Sequence, residues 1–443
     1  MGKASEKVDR FCFTIMSKFK YILLLTSLFL VYTQGMWERI LFFLPEFYYV
    51  IDVIVVLFIL FKFKFSIKVP GAKFLFFLMI TLLFVGFANG NSLVESILYF
   101  RFTLYFYLIY NQFYIMSLTK RQWNLLLLLI IVLILGQGLG AFFNLFILEQ
   151  RIEGYVGLMS SLGGTTATIF PLVIMSISLL FFLFIEKFKT NQLILFSLIN
   201  FSLLLVAYSS SKRAIYFLVP LFFIIVVFLS LKYLKRKKYF KKKIFNISVY
   251  GFIGFVILIF GIRNSKGFNY FLAGNENAVE TINLAVKYAD QYENSKDKYG
   301  NTIGRSNTTG AILNESLSNS SIFLLGKGYG SIKNKKTRRE FGFTYGVVGF
   351  TRDIVSGGWL LMILTIILFK KVILSNKSIN HSFTITLRRL IFLLFLATHF
   401  VYSSDFTTSL KVTFILLIIL SLINSPKHYS VLNYFFAKYK INR

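Results

Sequence analysis

The sequence is poor in the residues on which several common kinds of site depend. It contains one cysteine, five prolines and three histidines among 443 residues. The single Cys12 excludes a disulfide framework or a cysteine-based metal site within this chain. The sequence has no histidine pair at a metal-binding spacing, no P-loop, no paired-aspartate motif for a metal-bound nucleotide sugar and no nucleophile elbow. We therefore expect no metal and no other cofactor.

Acidic residues are also scarce, 18 against 49 lysines and arginines, which gives a net charge of +31. Nucleic acid is nevertheless not the expected partner, because the basic residues form short clusters between apolar runs, as they do at a cytoplasmic membrane surface. The chain is 56% hydrophobic with a mean hydropathy of +0.69, more than a soluble core can bury. This composition predicts an all-α polytopic membrane protein.

The apolar runs predict about twelve transmembrane helices. A spanning helix needs about 20 mostly apolar residues. The basic N-terminus precedes an apolar run without a small-residue cleavage pattern, which indicates a retained first helix. The predicted spans are 20–36, 46–61, 74–88, 96–115, 124–148, 166–185, 192–207, 213–231, 244–262, 346–369, 390–403 and 408–424.

The distribution of lysine and arginine predicts the orientation of these spans. With the N-terminus inside, most of the 49 basic residues fall in cytoplasmic segments, including the run at 232–243. The five short external loops hold only Arg39, Arg151, Lys212 and Arg213. Both termini are therefore expected in the cytoplasm. The predicted parts are nine spans, a large periplasmic loop, and three spans with a basic tail, at 1–262, 263–345 and 346–443.

The long polar loop contains two amphipathic stretches. Residues 279–292 have the spacing of a helix, and residues 310–330 have that of a short helix followed by a glycine-rich turn. Connections of this length are rarely without a function unless they are disordered. The sequence predicts a partly helical cap on the membrane surface.

Cations on the external side need an explanation, since a charge at mid-helix costs roughly 2.5–3.5 kcal/mol. Arg101 either extends to the outer interface or lines an externally open cavity. Arg151 lies in a loop rich in Gly, Ser and Thr, which is either an anion-binding nest or simply solvated. Lys212 and Arg213 begin a helix, where two cations oppose the macrodipole. That arrangement favours a bound anion over an interfacial anchor.

The other polar residues of this side belong to the long loop and to the mouths of the last spans. Arg305, Arg338 and Arg339 are basic residues of the loop, and Arg352 precedes Asp353 at the start of the tenth span. A basic run is often only a solvated surface, and a lone histidine in an apolar helix is often structural. The titratable groups available as a general base are Asp353, His399, Asp405, Glu153 and Glu46.

Three motifs in this order resemble those of the O-antigen polymerase and ligase superfamily of bacterial envelope proteins. They are Arg151-Ile-Glu-Gly-Tyr-Val-Gly, then Ser209-Ser-Ser-Lys-Arg-Ala, then Arg305 followed by Leu325-Gly-Lys-Gly-Tyr-Gly. The resemblance covers about residues 150–370, and the first 90 residues match only as membrane spans. It implies a GT-C-like architecture in the bacterial inner membrane.

The resemblance also implies a reaction, the transfer of a growing glycan from undecaprenyl diphosphate to a lipid-linked repeat unit on the periplasmic face. Arginine binds phosphate oxygens through a planar fork that never loses its proton, and so suits a diphosphate leaving group. The implied catalytic residues are Arg213, Arg305, Asp353 and His399. The implied substrate-binding residues are Arg101, Arg151, Lys212, Arg352, Arg338 and Arg339. The expected partners are undecaprenyl-diphosphate-linked oligosaccharides, membrane lipid and a polysaccharide chain-length regulator.

Three alternatives are open to the same sequence. Ligases of the superfamily carry a His-Asn pair where this chain has Gly349-Phe-Thr-Arg-Asp, and the missing histidine favours the polymerase. A flippase for lipid-linked oligosaccharides would need cations in both halves of a pseudo-symmetric bundle and no large external loop. A scaffold or chain-length regulator usually has two spans and a long coiled coil.

Overall fold

The computed structural model of the chain is a bundle of helices. Among the described residues 84% are helical and none forms a strand of a sheet. Isolated β-bridges join Ile185 to Ile441 and Thr302 to Phe343. The structure describes residues 2–41, 47–61, 72–148, 157–159, 166–187, 189–209, 214–235, 237, 239–245, 287, 290–344, 347–374, 381–403, 409–439 and 441.

The helices whose two ends both lie in the described residues are numbered α1 to α15 here. A π-helical turn, Phe143–Ile147, extends α5. The bounds of α1 to α8 are Gly2–Ile40, Tyr48–Leu60, Ala72–Ala88, Leu93–Ile115, Lys120–Phe142, Thr166–Phe184, Thr190–Ser209 and Ala214–Leu234. Those of α9 to α15 are Arg305–Ser318, Ser320–Leu325, Lys335–Glu340, Gly349–Leu374, Ser382–Val401, Leu410–Asn424 and Tyr429–Lys438.

Several helices are long and apolar enough to cross a membrane, as the composition predicts. Among the described residues six helices meet both conditions, and a seventh does if α14 and α15, bent by 80° at Ser425, form one broken span. Four more apolar helices, within α2, α3, α6 and α8, are shorter. Eleven of the twelve predicted spans coincide with helices, and the other, 244–262, lies outside the described residues after its first two. The exact number of crossings stays a prediction.

The apolar surface of the bundle has two destinations. Inside, a core formed by most of the long helices includes fully buried Trp123, Phe58 and Phe113. Outside, large side chains such as Phe228 and Leu139 are 72% and 71% exposed. An apolar surface on both sides of a helix is typical of a segment that packs on protein on one side and faces lipid on the other.

The contacts between helices define two ends of the bundle. At one, Lys427 donates to the carbonyl of Ile115 at 2.8 Å, and Lys20 is bonded to Gln112 near the end of α4. At the other, Asn91 before α4 bonds the long loop at the Tyr329 carbonyl, at 3.0 Å. We call these the basic end and the loop end. Segments predicted to share a side of the membrane thus lie together.

Helix α13 differs from its predicted span, because it begins at Ser382 and not near residue 390. Arg388, expected in a cytoplasmic connection, is therefore inside the helix and buried. Its guanidinium donates to the side-chain oxygen of Asn424 at 3.0 Å and to the Ile423 carbonyl at 2.9 Å. These bonds give the buried guanidinium the hydrogen-bond partners that a polar group needs inside the bundle.

The long loop is folded over the part that the structure describes. The predicted helix and glycine-rich turn of residues 310–330 are confirmed, as α9, α10 and a turn at 326–330. Of the other predicted helix, 279–292, the structure describes only residues 287 and 290–292, which are helical. Ile312, Ile322, Phe341 and Phe343 form a small core under the loop with residues from the start of α12.

Candidate active site

The glycine-rich turn of the loop is shaped by three glycines with left-handed backbones. Gly326, Gly328 and Gly330 have φ angles of 60°, 80° and 84°, which residues with a Cβ adopt only at a cost. A Cβ on Gly328 would lie 2.0 Å from the backbone nitrogen of Gly86 in α3. The turn can therefore approach α3 only with glycine at this position.

Backbone hydrogen bonds fix this turn between two membrane helices. The amide of Tyr329 donates to the carbonyl of Leu82 in α3 at 3.0 Å, and the amide of Lys327 donates to that of Val355 in α12 at 2.8 Å. From the connection between α3 and α4, Asn91 donates to the carbonyls of Lys327 and Tyr329, both at 3.0 Å. The loop is thus fastened to the loop end by the residues around Tyr329.

Helix α12 is broken where the loop meets it. Gly357 and Gly358 are non-helical, with φ angles of −146° and 65°. A Cβ on Gly358 would lie 2.4 Å from the backbone of Leu324 in α10. The break separates a short first part, 349–356, which carries Arg352 and Asp353, from the longer apolar part.

Asp353 meets His399 of α13 at the loop end. The distance between Oδ2 of Asp353 and Nε2 of His399 is 3.2 Å, an ion-pair distance without hydrogen-bond geometry, and the side chains are 17% and 1% exposed. The imidazole stacks on Phe395, with ring centroids 5.0 Å apart. A Cβ on Gly349 would lie 2.4 Å from Nδ1, so glycine there makes room for the ring. A carboxylate on an enclosed imidazole is an arrangement that can accept a proton.

Beside this pair is a small polar cavity between α4, α12 and the turn of the loop. Its volume of about 20 Å³ has room for a water molecule. Tyr99, Thr103 and Tyr107 come from one face of α4, since residues four apart share a helix face. The full lining is Tyr99, Thr103, Tyr107, Tyr329, Arg352, Asp353, Ser356, Leu361 and Thr365.

Tyr329 brings a hydroxyl from the loop into this cavity. The side chain is 3% exposed, and the Thr103 side chain lies close enough to its hydroxyl to affect the ionisation of Tyr329. Burial, and next the negative charge of Asp353, raise the pKa of Tyr329 well above its usual range. The hydroxyl therefore keeps its proton at neutral pH and is available as a donor.

Two arginines at the loop end each stack on a tyrosine. The guanidinium carbon of Arg352 lies 4.4 Å from the ring centroid of Tyr99, and that of Arg305 lies 4.2 Å from that of Tyr402. Tyr402 follows His399 by about one turn, so Arg305 is held at the same end of α13. Stacking over a ring orients a guanidinium group.

No family model, curated protein or solved structure matches the chain. The loop end itself offers a carboxylate, an imidazole, a tyrosine hydroxyl and two oriented guanidinium groups. Among the described residues, no group of three or more His, Cys, Asp or Glu side chains is placed to hold a metal ion.

The structure separates the predicted site residues into groups. Asp353, His399 and Arg352 lie together, with Arg305 nearby. Arg338 and Arg339 belong to the loop's own structure instead. The Arg338 Nε donates to the Ile332 carbonyl at 2.7 Å, and Arg339 stacks over a loop tyrosine at 4.8 Å. The predicted residues outside the described part of the chain are Arg151, Lys212, Arg213, Asp405, Glu153 and Glu46.

Arg101 does not join the arginines around Asp353. It forms an ion pair with Asp52 of α2 and lines a different cavity. Residues two apart on a helix point roughly 200° apart, so Arg101 lies across α4 from Tyr99. Of the two readings of Arg101, the structure favours the wall of a cavity.

Several residues that matter here are absent from the predicted site. Asp52 interrupts the apolar run Tyr-Tyr-Val-Ile-Asp-Val-Ile-Val-Val-Leu, and an acid within a membrane helix is a functional signal by itself. Tyr329 belongs to the glycine motif already identified. Tyr99 and Tyr402 carry no such signal, because tyrosine is common in this chain and their role depends on neighbours distant in sequence.

Proposed function

We propose that the chain is a membrane-embedded glycosyltransferase that polymerises glycan repeat units carried on undecaprenyl diphosphate. Its twelve spans would leave both termini in the cytoplasm and the loop end on the periplasmic face of the bacterial inner membrane. The observation that carries the proposal is the Asp353–His399 pair at that end, where Arg352 precedes Asp353 and Arg305 stacks on Tyr402. The three motifs quoted from the sequence support it.

In this proposal Asp353 and His399 have different roles. Asp353 is the more exposed of the pair and lines the cavity, so it is the general base. His399 is enclosed behind it and orients the carboxylate, as an orienting partner does in other catalytic pairs. This assignment makes His399 a positioning residue.

The proposed reaction moves one glycosyl group. Asp353 takes the proton of a sugar hydroxyl on the acceptor repeat unit, and the hydroxyl oxygen bonds to the anomeric carbon of the donor. The bond from that carbon to the diphosphate oxygen breaks, and its electron pair leaves with the diphosphate. Arg352 and Arg305 stabilise the charge on this leaving group. Arg213 and Arg151 stay candidates for the same task.

The cavity at Asp353 must widen for this reaction. Its volume of about 20 Å³ admits water but no sugar. The wall that belongs to the loop is the Tyr329 turn. Backbone hydrogen bonds hold this turn against α3 and α12. An outward movement of this turn would expose the carboxylate to the acceptor and then close the site to water.

A ligase is the second candidate, and one structural observation supports it although the sequence favours a polymerase. The histidine that is missing from residues 349–353 is supplied in space by α13, where Nδ1 of His399 faces Gly349. The missing histidine therefore no longer separates a polymerase from a ligase. A flippase is less well supported, since the described arginines of the site lie at one end of the bundle.

A deletion strain complemented with variants tests the proposal. Without a polymerase, single repeat units reach the surface acceptor, whereas loss of a flippase or ligase removes the surface glycan. We expect Asp353→Asn and Arg305→Ala to give single repeats. Arg339→Ala, which changes an exposed arginine that contacts a loop tyrosine, should keep the full ladder. A normal ladder in both site variants, at normal protein levels, contradicts the proposed site.

A further inference from the structure

A second, larger cavity opens at the loop end on the other side of α4. Leu98 and Arg101 line it, whereas Tyr99 and Thr103 line the cavity at Asp353. Its volume is about 390 Å³, within the range of cavities that hold small ligands. It is lined by Val31, Gln34, Tyr48, Ile51, Asp52, Leu98, Arg101, Ser409, Leu410 and Lys411.

One part of this cavity is polar and carries a net positive charge. Arg101 is paired with Asp52, and both side chains are mostly buried, at 15% and 13% exposure. Lys411 adds a second cation, so the lining residues hold two cations and one acid. Holding charges at a membrane helix costs several kcal/mol unless they have partners or a function. The excess of cations over acids among the described lining residues favours a negatively charged ligand.

The start of α14 strengthens the preference of this wall for an anion. Ser409, Leu410 and Lys411 at its N-terminus line the cavity. The Ser409 side chain does not cap the helix and instead contacts the Thr166 hydroxyl at 3.2 Å. Uncapped first-turn amides and the positive end of the dipole favour negative charge. They add to the two cations without being needed to form the site.

The rest of the cavity is apolar, and two of the helices that line it also carry exposed apolar side chains. Val31, Ile51, Leu98 and Leu410 form this part of the wall. On the outward faces of the same helices, Val53 of α2 and Ile97 of α4 are 58% and 45% exposed. A ligand with a charged head and an apolar chain matches both parts.

We propose that this cavity binds the phosphate group of a membrane lipid, with the lipid chain along its apolar wall. Arg101 would bridge the carboxylate of Asp52 and the phosphate, and Lys411 would contact the phosphate from the start of α14. A phospholipid and a polyprenyl diphosphate share this chemistry. The proposal does not depend on the glycosyltransferase activity.

Native mass spectrometry of the full-length protein in detergent tests this site. The probes are dioctanoyl phosphatidylglycerol, dioctanoyl phosphatidylcholine and a short-chain polyprenyl diphosphate. We expect the anionic lipids to bind more tightly than phosphatidylcholine. Lys411→Gln should weaken that binding about tenfold, the effect of losing one charge-assisted hydrogen bond. The double variant Asp52→Asn with Arg101→Gln removes the ion pair without leaving a lone charge and should weaken it at least as much.

Arg121→Gln is the matched control, because it removes an exposed arginine near the start of α5, at the basic end. It should bind the anionic lipids like the wild type. Tighter binding of the diphosphate identifies a polyprenyl carrier, and equal or tighter binding of phosphatidylglycerol identifies a membrane phospholipid. Either result supports the site if Lys411→Gln and the double variant bind that lipid more weakly than the wild type. Equal binding of all three lipids, or normal binding by Lys411→Gln, overturns it even if the double variant does not fold.

Discussion

Gly328 and Gly86 meet backbone to backbone, where a Cβ on Gly328 would lie 2.0 Å from the nitrogen of Gly86. This contact allows the Tyr329 turn of the loop to lie between α3 and α12. We predict that Gly328→Ala displaces the turn, since alanine there has both a clash with backbone and a φ of 80°. The cost should be roughly 2–5 kcal/mol, measured as a lower unfolding temperature and faster hydrogen exchange at 326–330.

Gly300→Ala separates the clash from the backbone strain. Gly300 has a φ of 83°, but an added Cβ would have nothing within 4 Å. This control should cost only about 1–2 kcal/mol and leave exchange at 326–330 unchanged. Equal effects of the two substitutions would mean that the contact with Gly86 does not hold the turn.

The Asp353–His399 contact predicts that the two residues act as a unit. Asp353→Asn and His399→Gln should each lower the rate of glycosyl transfer by about 10²–10⁴-fold, the usual contribution of a general base. The double variant should be no slower than the worse single variant, because removing either partner disables the pair. Rates measured on lipid-linked repeat units in nanodiscs provide the test.

His428→Gln controls for the loss of a buried histidine. His428 lies at the basic end, where its Nε2 is 3.3 Å from the Phe113 carbonyl. This substitution should lower thermal stability and leave the rate per folded protein near that of the wild type. Losses that multiply in the Asp353/His399 double variant would show two independent roles.

The sequence was sufficient to predict the helices and the chemical types at this site. Apolar runs of spanning length identified helices, and the Lys/Arg distribution grouped their ends as the contacts do. The sequence predicts both Asp353 and His399 as possible bases, because few acids and histidines exist near the predicted external ends of the spans. That they touch depends on the packing of α12 against α13, which no local pattern encodes.

The position of Arg101 shows a second limit. The resemblance groups Arg101 with Arg352 as substrate-binding residues and does not separate their positions. A helix turns by roughly 100° per residue, so Arg101 and Tyr99 lie on opposite faces of α4. The helical period predicts that Arg101 and Tyr99 lie on different faces of α4. That both faces line cavities depends on the helices packed against them, which the sequence of α4 does not show.

Arg352 should depend on its planar group as well as on its charge. We predict that Arg352→Lys lowers glycosyl transfer at least tenfold, because an ammonium cannot bind two phosphate oxygens as a fork or stack in plane over Tyr99. Tyr99→Phe keeps the ring and should retain most activity, whereas Tyr99→Leu should resemble Arg352→Lys. Normal activity of Arg352→Lys would show that only the positive charge of this residue is needed.

The loop should loosen in acid because of Asp297. The Thr344 hydroxyl donates to its carboxylate at 2.7 Å, as do the amides of Asn301 and Tyr299 at 2.9 and 2.8 Å. These bonds, that of Thr344 foremost, lower the pKa of Asp297 to about 2. A folded pKa below the unfolded value of about 3.9 stabilises the loop above pH ~4, and this stabilisation is lost as the pH falls toward 2. Hydrogen exchange of residues 295–303, corrected for the intrinsic rate, should therefore accelerate over this range.

Asp297→Asn should exchange faster at neutral pH with a weaker acid response. Asp290→Asn, whose carboxylate accepts from Asn294 at 3.0 Å, should behave like the wild type; an unchanged acid response in Asp297→Asn would assign the acid sensitivity to another group.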